Sequence, residues 1–350
     1  MIPARGWAAF DADMPLRPWS FSRREPGPKD VLIEIRWCGV CHSDIHHLKN
    51  DSGATRYPSV AGHEIAGVVT KVGAEVTRFS AGDRVGVGCM VDSCRGCAAC
   101  ADGEEQYCDS TVWTYGSMTP EGATQGGYSN CVTVSEDFVL KIPDALPLEA
   151  AAPLLCAGIT TWSPLRTWRM GPGNRVGVVG LGGLGHMAVK LARALGCEVT
   201  VISTSPSKHE DALKLGAHEF LVSTDRDAMR AAAGRFDLII DSVSAFHEPG
   251  PLVNALSKDG TLVFLGLIPE PLPIKVMPLI GRRRRISASL IGGIRETQEM
   301  LDFCAANGVA PEIEIIRIDQ INEAYERMLK SDVRYRFVID LASLEPANAA

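Results

Sequence analysis

Val176-Gly177-Val178-Val179-Gly180-Leu181-Gly182-Gly183-Leu184-Gly185 is the stretch on which the fold turns. Val176–Val179 has the composition of a short buried strand, and the residues from Gly185 to about Leu195 suit a helix. Between them stands G-x-G-x-x-G. The pattern is weak alone, but a strand before it and a helix after it supply the context that gives it meaning. Glycines let the backbone approach a pyrophosphate, and the helix N-terminus stabilises its charge. Gly180, Gly182, Gly183, Leu184 and Gly185 are therefore expected to bind a dinucleotide. The bland alternative is a tight packing turn.

Outward from this turn the chain alternates. Strands are expected at Val199–Ile202, Phe220–Val222, Leu238–Asp241 and Thr261–Phe264, with helices near Lys208–Leu215 and Leu252–Leu256. Regular β-α alternation implies a doubly wound parallel sheet. An acidic residue about 20 positions beyond the glycines would accept the ribose 2′-hydroxyl of NAD. This chain instead carries Ser203-Thr204-Ser205-Pro206-Ser207-Lys208. Hydroxyls and a lysine donate to a 2′-phosphate, and no carboxylate repels it, which favours NADP(H). An ordinary polar turn capping a helix is the bland reading.

The first 150 residues read differently. Val31–Trp37, Ile65–Val72 and Arg84–Gly88 look like strands, punctuated by Gly82-Asp83 and Gly126-Gly127, so a β-rich domain is expected there. Near the C-terminus, Ile321, Ala324, Tyr325, Met328 and Leu329 form one apolar helical face, and Tyr335–Asp340 reads as a closing strand. This last segment is expected to rejoin the β-rich domain. The division is then 1–152 with 288–350 for one domain and 153–287 for the nucleotide domain. Pro346–Ala350 reads as a frayed tail.

The chain has 350 residues, 46 % of them hydrophobic and 22 % charged, which suits a two-domain globular protein. A formal net charge of −7 argues against a nucleic-acid-binding surface. The run Arg282–Arg285 is the basic exception, read as a solvated surface or subunit contact. No secretory signal is visible, and no stretch approaches the ~20 apolar residues that span a bilayer. No membrane association and a cytoplasmic location are expected.

The cysteines cluster like metal ligands rather than a secreted disulfide framework. Cys94, Cys97, Cys100 and Cys108 form C-x2-C-x2-C-x7-C. A bacterial ferredoxin run starts alike but closes after about three residues with proline following; here Asp109 follows Cys108. Zinc is favoured, and four protein ligands leave no open position, so this ion is structural. It is expected to hold a surface lobe against a partner subunit or the neighbouring domain. Cys41-His42-Ser43-Asp44 and Gly62-His63-Glu64 are weak signals singly, because lone cysteines and histidines usually pack. With Cys156 they make a Cys2His set, three protein ligands and one open position.

Taken together these residues resemble the zinc-dependent medium-chain alcohol dehydrogenases, above all the cinnamyl alcohol dehydrogenase branch with its bacterial aldehyde reductases. The resemblance is carried by Gly39-Val-Cys-His-Ser-Asp44, Gly62-His-Glu64, the four-cysteine lobe, Gln125-Gly-Gly-Tyr128, Gly180-Leu-Gly-Gly-Leu-Gly-His186 and Asp332-Val-Arg-Tyr-Arg-Phe-Val338. Cys2His is already the known ligand set of alcohol dehydrogenases.

The resemblance implies a GroES-like catalytic domain, a Rossmann nucleotide domain and an active site in the cleft between them. It implies two zinc ions per chain: a catalytic one on Cys41, His63 and Cys156, and a structural one in the lobe. Glu64 would approach the catalytic metal during ligand exchange, and Asp44 would orient the histidine ligand. Ser43 and then His46 would carry the alcohol proton away. Thr160 joins the glycines, Ser203, Thr204, Ser205 and Lys208 in binding the nucleotide. Trp113, Leu290 and Ile291 would line the substrate pocket, while Cys89 near it is read as a packed thiol.

The implied reaction is reversible hydride transfer between NADP(H) and primary alcohols or aldehydes of cinnamyl or benzyl type. The small-molecule substrate is the implied partner, with a homodimer formed through the nucleotide domains. The alternatives are a polyol or other medium-chain dehydrogenase using NAD, a zinc-free quinone reductase, and a zinc- or redox-sensing thiol protein on a nucleotide scaffold. Polyol enzymes usually place a glutamate where Cys156 stands, and quinone reductases lack the Cys41/His63 pair.

Overall fold

A computed structural model describes residues 1–344. The tail reading of Pro346–Ala350 lies outside the described residues. The chain divides into two compact units, Met1–Cys156 joined by the chain from Gly292 onward, and Ala157–Ile291. The boundaries expected from sequence were 152/153 and 287/288. The observed one keeps Cys156 in the first unit.

The first unit is built on a seven-stranded sheet. Its centre is Asp30–Gly39, which pairs antiparallel with Ile65–Val72, Cys131–Ser135 and Arg336–Asp340. Val31, Ile33 and Ile35 of that strand are buried, the period-2 pattern of a strand with one face in the core. Arg84–Val87 and Leu140–Lys141 extend one side, and Ile313–Arg317 the other. The C-terminal segment does rejoin this sheet, Val338 standing opposite Gly39. The helix Ile321–Leu329 buries Ile321, Ala324 and Met328 as the periodicity requires, but Leu329 at its end is 55 % exposed.

The second unit is a six-stranded parallel sheet in the spatial order Glu219–Val222, Glu198–Ser203, Arg175–Val179, Phe236–Asp241, Leu256–Phe264, Arg285–Ala288. In sequence terms this is 3-2-1-4-5-6, the dinucleotide-binding order whose direction reverses beside its first strand. Gly180 begins at the carboxyl end of that strand. The sixth strand was not expected. The run Arg282–Arg285 lies at the surface, with only Arg284 half-buried, and is bonded within its unit: Arg283 pairs with Asp259, Arg284 donates to the carbonyls of Leu256, Asn254 and Pro278, and Arg285 donates to that of Asp259. Among the described residues no helix is long and apolar enough to cross a membrane.

Candidate metal centres and nucleotide turn

Three distant segments bring Cys41, His63 and Cys156 together. Cys41 is the N-cap of the helix His42–Leu48, and its N–H donates to Asp44 Oδ2 at 2.8 Å. His63 precedes the strand Ile65–Val72. It follows Gly62, whose φ of +97° and tight surroundings exclude a side chain: a Cβ would lie 2.7 Å from Cys38 Sγ and from the Tyr128 ring. Cys156 lies in the π-helical turn Leu154–Gly158, between the helices Leu148–Pro153 and Ile159–Thr167. π-Turns often mark functional sites, and this one keeps Leu154, Leu155 and Cys156 buried.

Donor atoms of Cys41, His63, Glu64 and Cys156 all lie within 4.8 Å of one another. The two sulfurs are 4.0 Å apart. His63 Nε2 is buried with no hydrogen-bond partner, and so is Glu64 Oε2. An orphaned buried polar atom costs about 1–3 kcal/mol. A cation bound at this donor set would relieve that cost. Two thiolates and an imidazole fit zinc. The Cys41 thiol is held well below its ordinary pKa, first by Cys156 and further by His63 and Arg336, which favours the ligating thiolate. Cys89 adds a neighbouring thiol whose pKa is lowered by its hydrogen bond with Cys156.

Glu64 is fully buried, and its Oε1 meets the guanidinium of Arg336. Burial pushes its carboxyl up to about 8, against the opposing pull of Arg336. Its place depends on Gly39, where a Cβ would fall 1.8 Å from Glu64 Oε2. Ser43 is exposed, with Oγ 3.6 Å from Cys41 Sγ. His46 stands one turn along the same short helix and bonds through Nδ1 to Asp51 Oδ2 at 2.6 Å. Sequence reasoning missed Arg336, although it lies in the quoted 332–338 segment, because burial of a charge is not written in a local pattern. It missed Asp51 and Tyr115 as well.

The second donor group is Cys94, Cys97, Cys100 and Cys108. Cys97 caps the short helix Ala98–Asp102, which ends at Gly103 with φ 77°. The N–H of Gly96, the Cys108 thiol and the N–H of Cys97 lower the Cys94 thiol to about 6. Four thiols closed around one point fit a structural zinc. The lobe expected to meet a partner subunit or the other domain is pinned within its own unit, to the helix Ile294–Asn307. Glu105 Oε2 accepts the Ile294 N–H at 3.0 Å, favourable for a carboxylate at a helix N-terminus. Arg295 donates to the Asp102 carbonyl at 2.7 Å.

In the second unit the glycines divide their tasks. Gly180 takes φ +84° at the tight turn, Gly182 faces open space, and at Gly185 a Cβ would lie 2.1 Å from the Gly180 carbonyl. These are the turn, the approach to pyrophosphate and the close helix–strand contact that a dinucleotide loop needs. The helix Gly185–Ala194 starts there with Leu184 at its N-cap. Lys208 Nζ donates to the Leu181 carbonyl at 3.1 Å, tying the loop after Ser203 to the glycine turn. Ser205 Oγ lies 2.8 Å from Ser207 Oγ, and the Ser205 N–H donates to Ser203 Oγ at 3.2 Å. Thr204 is exposed, while Thr160 is buried in the helix Ile159–Thr167, which packs on Gly185–Ala194. Nothing acidic ends the strand Glu198–Ser203.

Trp113 is half-buried in the first unit, opposite Met90. Leu290 is exposed and Ile291 buried, both at the end of the second unit.

A Cys2His centre and a 3-2-1-4-5-6 dinucleotide sheet in one chain define a zinc-dependent medium-chain dehydrogenase. The family of alcohol dehydrogenase GroES-like domains matches residues 27–144, and the zinc-binding dehydrogenase family matches residues 183–306. The chain is 56 % identical to NADP-dependent alcohol dehydrogenase C 1 of Mycolicibacterium smegmatis, over 98 % of this chain and 99 % of that one. It is 54 % identical to a probable mannitol dehydrogenase of Fragaria ananassa, over 97 % and 96 % of the two chains. A solved cinnamyl alcohol dehydrogenase of Sorghum bicolor superposes with a TM-score of 0.94 at 49 % identity, covering 97 % of this chain and 98 % of that one. The chain belongs to the zinc-binding alcohol dehydrogenase family.

Proposed function

We infer that this protein is an NADP-dependent alcohol dehydrogenase acting reversibly on primary alcohols and aldehydes, with aromatic compounds of cinnamyl or benzyl type preferred. The observation that carries the reading is the buried, unpartnered Nε2 of His63 facing the thiols of Cys41 and Cys156. These three residues would hold zinc, and Cys94, Cys97, Cys100 and Cys108 a second, structural ion. Zinc at an open site acts as a Lewis acid on a carbonyl or alcohol oxygen, and NADP(H) carries the hydride. Gly180, Gly182, Gly183, Leu184, Gly185 and Thr160 hold the nucleotide, while Ser203, Thr204, Ser205 and Lys208 receive its 2′-phosphate.

The remaining steps fall to side chains. Ser43 accepts the alcohol proton, and His46 takes it onward through Nε2, because Asp51 engages Nδ1. Glu64 keeps a carboxylate oxygen beside the ligands, held there by Arg336. Trp113 offers a flat apolar wall to an aromatic ring. With the protein loaded with zinc, NADPH absorbance should fall when an aromatic aldehyde is added, and this should stop after chelation. Protein that binds NADPH but reduces no aldehyde would end this reading. The mannitol-type relative favours a second reading, so kcat/KM should be compared for an aromatic aldehyde and a sugar alcohol. A higher value for the sugar alcohol would replace the aromatic preference.

The same reading includes a homodimer through the nucleotide units. Arg285–Ala288 is an edge strand with one hydrogen-bonded neighbour, and Val276, Met277 and Ile280 next to it are 61 %, 72 % and 66 % exposed. Open edges and clustered exposed apolar residues favour association. Sedimentation should give a dimer, and Ile280→Asp with Val276→Asp should shift it to monomer; monomeric wild-type protein would refute the dimer. A cytoplasmic setting is supported by the cysteine chemistry: none of the eleven is paired in a disulfide, and six fall in the two metal donor sets.

A further inference from the structure

The resemblance assigns the orientation of His63 to Asp44, but the distances single out another group. His63 Nδ1 lies 2.9 Å from the Tyr115 hydroxyl and 3.5 Å from Asp44 Oδ1. The first is a hydrogen bond and the second is too long to be a good one. Asp44 is also nearly saturated. Its Oδ2 accepts the Cys41 N–H at 2.8 Å and the Tyr128 O–H at 2.9 Å, and its Oδ1 accepts the Gly62 N–H at 3.0 Å. A carboxylate offers about four acceptor sites, so one is left, on Oδ1.

Tyr115 is placed with care. It follows Thr114, whose N–H donates to the Cys89 carbonyl at 2.9 Å and whose Oγ1 donates to that of Gly88 at 2.5 Å. It precedes Gly116, at φ +81°, where a Cβ would lie 2.7 Å from the His47 ring. The phenol ring packs between two imidazoles, 4.7 Å from His47 and 5.4 Å from His63 between centroids. Burial raises the hydroxyl's pKa well above its ordinary value, and the negative charge of Asp44 raises it further.

We propose that Tyr115 is the positioning residue of the open metal site: its oxygen accepts the Nδ1–H of His63 and its own hydrogen goes to Asp44. A histidine that ligates through Nε2 must keep its proton on Nδ1, and the group that accepts this proton sets the tautomer and the ring plane. Tyr115 is that group, and Asp44 acts through it. The proposal rests on the reading that Cys41, His63 and Cys156 hold zinc.

The test follows zinc transfer from the holoenzyme to a chromophoric chelator, with Cys156→Ala identifying the phase that belongs to the open site. Tyr115→Phe keeps the ring and removes only the hydroxyl. It should speed open-site release about 10- to 100-fold, the usual cost of losing such a partner, and leave the lobe phase unchanged. The visible bands of cobalt at the open site should shift in the same variant. Tyr128→Phe removes a donor from Asp44 without touching His63, and should change the open-site phase much less. An unchanged open-site rate and spectrum in Tyr115→Phe overturns the proposal. So does equal acceleration at both sites, which marks general loosening. An effect of Tyr128→Phe as large as that of Tyr115→Phe overturns it too, by making Asp44 the orienting group. A wild-type protein with only the lobe zinc would instead overturn the ligand assignment beneath it.

Discussion

Cys156→Ala should lower bound zinc from two ions per chain to one and reduce turnover by about 10³-fold or more. A Lewis acid contributes several kcal/mol to such chemistry, and each ~1.4 kcal/mol is tenfold in rate. The lobe zinc should remain, because Glu105 and Asp102 pin the lobe to the helix Ile294–Asn307 and Cys156 is not one of its four thiols. The loss at the open site is not all-or-none. Cys41, His63 and Glu64 still share one donor cluster, so a weakened metal site survives and refills in excess zinc. The measurement therefore belongs at low, buffered free zinc, with metal analysis and turnover on the same sample. Unchanged turnover with one ion bound would show that Cys156 is not a ligand.

Lys208→Ala combined with Ser205→Ala should weaken NADPH about 30- to 100-fold and NADH only a few-fold. Hydrogen bonds to a charged group contribute about 1.5–3 kcal/mol, and only NADPH carries the 2′-phosphate that makes them. NADH is not untouched, because Lys208 also donates to the Leu181 carbonyl in the glycine turn. Losing that tie loosens the loop for both nucleotides. The ratio of the two dissociation constants is the informative quantity, and fluorescence titration with each nucleotide measures it. Equal losses would assign Lys208 to the loop rather than to the phosphate.

Much of this architecture was legible in one dimension. The strand–glycine–helix run at Val176–Leu195 depends on neighbours in sequence, and so does the spacing of the lobe cysteines. Both appear in the structure where the sequence places them. The sixth strand, Arg285–Ala288, was not legible. Arg-Ile-Ser-Ala has no strong alternation, and as an edge strand it needs only one neighbour, Leu256–Phe264. The bonds of Arg284 and Arg285 were not legible either, because their acceptors are backbone carbonyls at residues 254, 256, 259 and 278.

By itself, then, the sequence determined the class of the chain: a dinucleotide sheet, a closed four-thiol lobe, and a second set of ligand-type residues with the resemblance to join them. Local backbone rules and ligand spacing suffice for that. Only the tertiary structure decided which atoms meet. It orphaned His63 Nε2 beside two thiols, set Arg336 against Glu64 across 272 positions of chain, placed Cys156 in a π-turn, and put the Tyr115 hydroxyl nearer His63 than the Asp44 carboxylate. Those outcomes follow from burial and long-range packing, which set the cost of every unpaired polar atom and leave no local pattern to read.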